Sequence, residues 1–265
     1  MMTYKKPYYI VQIGAGGNGA AITQLIGQIL GTQSPNSVYI IADPDIVEEK
    51  NLKNQLFTKF DVGEYKATVL ADRYATAYQM DYRSYTDGYV ESVEGLANLF
   101  KSTSIAYTPV LIGAVDNNFS RKIMHQYFNQ VKELLYIDVG NESVSIPSKP
   151  EYQWTKEERE LYNTSGYTGQ VVAGWKQNNR VTYPPVAEVF PDISLDTDDV
   201  APSTLSCTEL SASEPQRFIT NRFAATAVCN VFQDFLLTQG ITSHIVHFHA
   251  KKCYMRGVPY KIEEF

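Results

Sequence analysis

The residues whose types and spacing could do chemistry begin with the run Gly14-Ala15-Gly16-Gly17-Asn18-Gly19. Gly14 permits a tight turn, Gly16 lets the backbone approach a phosphate, Gly17 continues the loop, and Gly19 lets a following helix pack against the strand before it. A helix from about Asn18 to Leu30 would aim its free N–H groups and the positive end of its dipole at that phosphate. These glycines fit a dinucleotide and ATP equally well. Two further apolar runs also end in carboxylates, at Asp43-Pro44-Asp45 and at Asp116-Asn117. An Asp at the end of the second strand can accept hydrogen bonds from ribose hydroxyls, again for NAD and ATP alike. Of that pair, Asp45 suits the alternative of a turn-capping carboxylate better than Asp43 does.

These residues must be positioned by strands. Tyr8 to Ile13 is a short, almost continuously apolar run of the kind expected for a parallel strand covered on both faces. Val38 to Ala42 reads as a second such strand, the run from Pro109 to Asn117 as a third, and Leu134 to Asn141 as a fourth. Helical patterns lie between them at Lys66–Ala77, Glu91–Lys101 and from Asn118 towards Val131. A short strand is expected around Arg83–Thr86, and the tyrosines of Tyr78–Val90 read as packing residues because no basic neighbours suit them to base stacking. The alternation predicts an α/β fold with a Rossmann-like, mostly parallel sheet, helices on both faces and antiparallel strands towards the C-terminus. Ligands bind such sheets at the carboxyl ends of the strands.

Composition narrows the function. With 23 basic and 29 acidic residues among 265, the net charge of −6 argues against general nucleic-acid or anionic-membrane binding. No run approaches the roughly 18 apolar residues of a membrane span, and the N-terminus enters the first strand without a signal-peptide pattern. Three widely spaced cysteines, Cys207, Cys229 and Cys253, suit a reducing cytoplasm and form no disulfide framework. A single domain over 1–265 is expected.

The specific signal is the order of motifs. GxGGxG is followed by Asp-x-Asp-x-Val-Glu at Asp43–Glu48, Asn-Leu-x-x-Gln-x-Phe at Asn51–Phe57, and Asp-Val-Gly-x-x-Lys-Ala at Asp61–Ala67. This order resembles the adenylating family of ubiquitin-like-protein activators represented by ThiF, MoeB and HesA. The lack of zinc cysteines, the Ser206-Cys207 segment and the compact length look most similar to the ThiF-like proteins of plasmid-type PRTRC gene systems. The resemblance spans most of the chain, but only its part up to Arg121 is specific. It implies attack of a carboxylate on the α-phosphate of ATP, giving an acyl-adenylate and pyrophosphate. The carboxylate would be the C-terminus of a small ubiquitin-like or sulfur-carrier-like protein, and the enzyme a homodimer.

Residue by residue, the resemblance makes Asn51 and Gln55 hydrogen-bonding groups for phosphate or ribose, and Lys66 a mobile cation for the triphosphate. The spacing Asp116-Asn117-x-x-x-Arg121 resembles the segment whose aspartate engages magnesium and the reacting phosphate. Magnesium favours one or two carboxylates plus phosphate oxygens, which agrees with that role. Asn117 would face the adenine or the backbone near it, and Arg121 would order the site. One departure stands at Asn54, where the family usually places an arginine. Lys53, Arg73 or a partner subunit could supply the missing charge.

Residues 142–165 read as a surface insertion with a charged, helix-like stretch at Lys156–Glu160. Residues 184–215 read as a mobile crossover loop containing Cys207. This cysteine is placed either to attack the adenylate or to be a small packed thiol. Cys229 belongs to an apolar helix over Arg217–Leu237, whose small residues Ala224, Ala225 and Ala227 allow close helix approach. In the family that helix also contributes to dimer contact. The absence of Cys-x-x-Cys pairs excludes the family's structural zinc. His247 and His249 share a strand face, where half-exposed histidines are commoner than a metal site. Two other functions stay open, an NAD(P)-dependent oxidoreductase and a nucleotide-binding scaffold without catalysis.

Overall fold

The computed structural model describes residues 6–100, 106–196, 200–204 and 215–260. Its centre is a nine-stranded sheet in the order β3-β2-β1-β4-β5-β6-β8-β9, with β7 paired to β6. The strands are β1 Tyr8–Ile13, β2 Val38–Ala42, β3 Asp81–Tyr85, β4 Thr108–Gly113, β5 Leu134–Asn141, β6 Thr168–Gln177, β7 Arg180–Tyr183, β8 Ile245–His249 and β9 Tyr254–Val258. Strands β1 to β5 pair in parallel. From β5 onward every pairing is antiparallel.

Alternate residues of the central strands enter two cores, because successive side chains of a strand point to opposite faces. Tyr8, Ile10, Tyr39, Ile41, Val110, Ile112, Leu135 and Ile137 meet one set of helices. These are α1 Gly17–Gln33, α2 Lys66–Tyr78 and the long α8 Phe218–Thr238. Tyr9, Val11, Ile13, Val38, Ile40, Leu111 and Tyr136 face the other set. That set is α3 Val93–Leu99, α4 Asn118–Gln130 and the short α6 Val186–Val189 and α7 Asp192–Leu195. Burial on both faces explains the almost unbroken apolarity of β1, β2 and β4.

The helix α8 packs along α1. Ala224, Ala225 and Ala227 are wholly buried there, so the close approach they permit is to elements of the same chain. Cys229 packs in the same core, and burial pushes its thiol pKa well up. The insertion 142–165 forms a 3-10 turn, Glu151–Gln153, and the helix α5 Lys156–Thr164. A reciprocal Thr155–Glu158 capping box closes the start of α5. Two tyrosines of the stretch 78–90 pack against aromatic rings, Tyr82 on Tyr39 at 5.0 Å and Tyr78 on Tyr74 at 5.8 Å, whereas Tyr89 instead donates its hydroxyl to Asp45. Among the described residues, no helix is long and apolar enough to cross a membrane.

Candidate nucleotide site

Strand order reverses at β1, which has β2 on one side and β4 on the other, so the carboxyl ends of β1 and β4 open a crevice. A cavity of about 1070 Å³ occupies it. It is lined by Gly14, Gly16, Gly17, Asp43, Asp45, Asn51, Gln55, Lys66, Asp116, Asn117 and Arg121, and also by Asn54. Gly19 does not line it; its role is packing. A Cβ there would stand 2.2 Å from the Gly14 carbonyl oxygen.

The glycine turn is built from beneath by a residue that the apolar reading of β1 passed over. Gln12 is fully buried, and its Nε2 donates to the carbonyls of Gly14 at 2.8 Å and Gly19 at 3.2 Å. Its Oε1 accepts from the Tyr39 hydroxyl at 2.6 Å. Gly14 has φ of +98°, in the left-handed region that only glycine enters at no steric cost. Opposite this turn, Asp43 accepts from the Ala15 N–H at 2.6 Å and the Asp45 N–H at 2.9 Å. The turn-capping role therefore falls to Asp43 and not to Asp45, because Asp43 is the one buried beneath the loop. Burial raises its pKa to about 6, opposed by the charge of Lys66.

Asp45 instead pairs with Lys66, Nζ to Oδ2 at 2.8 Å, and accepts a hydrogen bond from the Tyr89 hydroxyl. The Asp43 and Asp45 carboxylates overcome the desolvation of Lys66 and hold its pKa above the usual lysine value. Lys66 begins α2 and is buried, so it is no solvated surface lysine. Tyr89 was not legible as a site residue because its partner lies 44 positions away.

Asn51 is half spent. Its Oδ1 accepts from the Glu48 N–H at 2.8 Å in a capping box that closes the 3-10 turn Glu49–Lys53. Asn117 caps α4 by accepting from the Ser120 N–H at 2.8 Å, which takes its side-chain carbonyl away from any adenine. Arg121 reaches Asp138 Oδ1 at 3.1 Å and the Val115 carbonyl at 2.7 Å, tying α4 to the ends of β4 and β5. Asp138 is a buried carboxylate that sequence reading missed, and desolvation raises its pKa against the pull of Arg121.

Asp116 differs from these carboxylates. It is exposed in the cavity, and among the described residues its side-chain hydrogen-bond partner is Asn117 Nδ2 at 3.5 Å, too long to hold it. Among the described residues, no group of three His, Cys, Asp or Glu could hold a metal by protein ligands alone. Magnesium sharing phosphate oxygens with one carboxylate needs no such group, so Asp116 fits it. Two buried oxygens in the lining, Gln55 Oε1 and Asn141 Oδ1, have no hydrogen-bond partner among the described residues and are suited to a polar ligand.

Arg73 cannot replace an arginine at position 54, because it donates to the Leu56 carbonyl at 2.6 Å and to Asp61 at 2.7 Å, away from the cavity. Lys53 does not line the cavity either. Among the described residues the lining lysines and arginines are Lys50, Lys66 and Arg121, each paired with an acid, respectively Glu48, Asp45 and Asp138. Phe190, Asp192, Ile193, Val200 and Pro202 of the crossover segment form one wall. Cys207 lies outside the described residues. His247 lines the far end of the cavity, while His244 is buried and bonds the Pro184 carbonyl at 2.8 Å.

The fold is that of a solved structure, the crystal structure of E. coli MccB with succinimide, at a TM-score of 0.60. The chain has the MccB fold. Identity over the match is 14%, covering 95% of this chain and 63% of that one. The crystal structure of E. coli MccB with ATP matches at a TM-score of 0.58 and 14% identity, covering 96% and 64%. That of selenomethionine PaaA matches at 0.60 and 14%, covering 95% and 64%. The chain thus spans less than two thirds of the length of these structures. Neither a protein-family model nor a characterised protein sequence matches it.

Proposed function

We propose that the protein is an ATP-dependent adenylyltransferase that activates the carboxylate of a small ubiquitin-like or sulfur-carrier-like protein. The observation that carries this reading is the convergence on one cavity, at the switch point of the sheet, of the glycine turn, the Asp45–Lys66 pair and Asp116, an exposed carboxylate with no ion-pair partner among the described residues. The motif order from Gly14 to Arg121 supports it, as does the solved structure of MccB with ATP on the same fold.

In this reading the ribose and triphosphate run from Asp43 and Asp45 across Gly16 and Gly17 to Asp116. The free N–H groups at the start of α1 receive phosphate oxygens. Asp116 would hold magnesium, which would supply positive charge beside the phosphates. Lys66, released in part from Asp45 by the entering phosphates, supplies a second positive charge. The acceptor carboxylate attacks the α-phosphorus, pyrophosphate leaves, and an acyl-adenylate remains. Attack by the Cys207 thiolate on that adenylate would release AMP and leave a thioester. Dimerisation of the chain belongs to the same proposal.

The test is ATP–pyrophosphate exchange with a carboxylate partner present. Exchange should fall at least ~100-fold in Asp116→Ala and in Lys66→Ala, the scale of losing one electrostatic stabiliser of a transition state. Cys207→Ala should keep exchange and lose the thioester. Tight ATP binding without exchange, with the partner supplied, would sink the enzymatic reading and leave the nucleotide-binding scaffold. Nicotinamide-nucleotide binding indifferent to Lys66→Ala would point to an oxidoreductase.

A further inference from the structure

The cavity has a second end, formed by the antiparallel half of the sheet. Strand register sets Gln170 of β6 opposite His247 of β8, and His247 opposite Arg256 of β9. The next row is Thr168, His249 and Tyr254. Directly opposed residues project to the same side of a sheet. Val246 and Phe248, which alternate with the histidines, are buried in the core that contains α8. The Gln170–His247–Arg256 row therefore lies on the other face, where Thr168, Gln170, His247 and Tyr254 line the cavity. His247, Tyr254 and Arg256 are exposed, and β9 is the edge strand.

Charge differs between the two ends of the cavity, although the second end also holds one lining carboxylate, Glu142, which accepts from the Thr168 hydroxyl at 2.9 Å. The nucleotide end is dominated by Asp43, Asp45, Asp116 and Asp138. From Phe235 to Tyr260, by contrast, the chain has no Asp or Glu, and it carries Lys251, Lys252, Arg256 and three of its four histidines. In a protein of net charge −6 this is a local reversal of sign. Among the described residues Lys252 and Arg256 have no ion-pair partner, whereas each cation lining the nucleotide end does.

We propose that the β8–β9 hairpin is the docking platform for an acidic segment of a polypeptide, which crosses the Gln170–His247–Arg256 row so that its terminal carboxylate enters the cavity. The inference rests on the reading of the cavity as a carboxylate-activating site and names the chemistry of the partner. Complementary charge selects the acidic segment, and the continuity of the row with the cavity lining gives its carboxylate a route inward. A second copy of the hairpin is a poor occupant, because it would set Lys251, Lys252 and Arg256 against their own copies.

The full chain would be titrated, by fluorescence anisotropy at low salt, into a labelled synthetic peptide that alternates glutamate and glycine and ends in a free glycine carboxylate. A second peptide has glutamine for each glutamate, and a third probe is a labelled single-stranded oligonucleotide. The glutamate peptide should bind at least ~10-fold more tightly than the glutamine peptide. The Lys252→Glu/Arg256→Glu double variant should lose that preference while keeping wild-type Tm and wild-type binding of a fluorescent ATP analogue. Equal binding of the two peptides, binding of neither, a preference that survives the double variant, or tighter binding of the oligonucleotide would each overturn the proposal. Pyrophosphate exchange is a separate readout: acidic-peptide preference without exchange leaves the platform and refutes adenylation, whereas exchange without that preference does the reverse.

Discussion

Gly16 and Gly19 lie on the same turn and differ in what an added methyl group would strike. At Gly19 a Cβ would meet the Gly14 backbone, so Gly19→Ala must shift the turn itself. At Gly16 a Cβ would meet no protein atom within 4 Å, and φ is −70°, which alanine adopts freely. Gly16→Ala should therefore keep its stability within about 0.5 kcal/mol in a denaturant titration. If the backbone at Gly16 touches a phosphate, the same variant should lose at least ~10-fold in ATP affinity. Asp43 gives a prediction in pH. Its carboxyl is raised by burial to about 6, so the folded state holds a proton that the unfolded state has released. Its contribution must then fall as pH rises from about 4 to about 6, and stability measured across that window should lose a component that Asp43→Asn lacks. Asp45 has its pKa lowered by Lys66 and Tyr89, against the cost of burial. Its contribution is present above the usual carboxylate range and lost only at more acid pH, so the two windows separate.

The elements carry the site through their ends. Helix α4 is fixed at its start by the Asn117 cap and by Arg121, which reaches back to β4 and β5. The Arg121–Asp138 pair is largely buried, and removing one partner leaves the other charge without compensation. Arg121→Met should cost about 3–5 kcal/mol in chemical denaturation, enough to impair folding of the chain as a whole. Helix α5 tests the opposite case. Its capping box lies in the exposed insertion, away from the cavity, so Thr155→Ala should cost about 1 kcal/mol and leave ATP affinity unchanged. The segment from α6 to Pro202 read as a loop because it lacks periodic apolar residues, yet Val186, Ala187 and Ile193 are buried in the core beside α4. Three apolar residues placed irregularly suffice to dock a segment, and periodicity does not detect them.

At the scale of the whole molecule, the cations that line the cavity among the described residues are each paired with an acid, so on the proposed reading a triphosphate would need neutralising charge to enter. ATP with magnesium at 100 times its dissociation constant should raise stability by about 2.7 kcal/mol, seen as a higher Tm. ATP with a chelator should give much less. Much of this architecture was legible in the chain: the first strand over Tyr8–Ile13, the glycine turn, the carboxylates ending β2 and β4, and the antiparallel tail all follow from local pattern. That is because strand burial, turn chemistry and helix capping act over a few neighbouring residues. The support of the site was not legible. Gln12 under the turn, Tyr89 on Asp45, Asp138 on Arg121 and the capping of the turn by Asp43 each depend on partners from separate elements. A polar side chain within an apolar strand, or a tyrosine in a polar stretch, has no local signature of the partner it will meet. The sequence by itself determined which chemical groups stand at the ends of the strands, since the period of each element is written in adjacent residues. Only the tertiary structure decided which of those groups are spent on each other and which are left for a ligand, because burial and hydrogen bonding between distant segments exist only once the sheet is assembled.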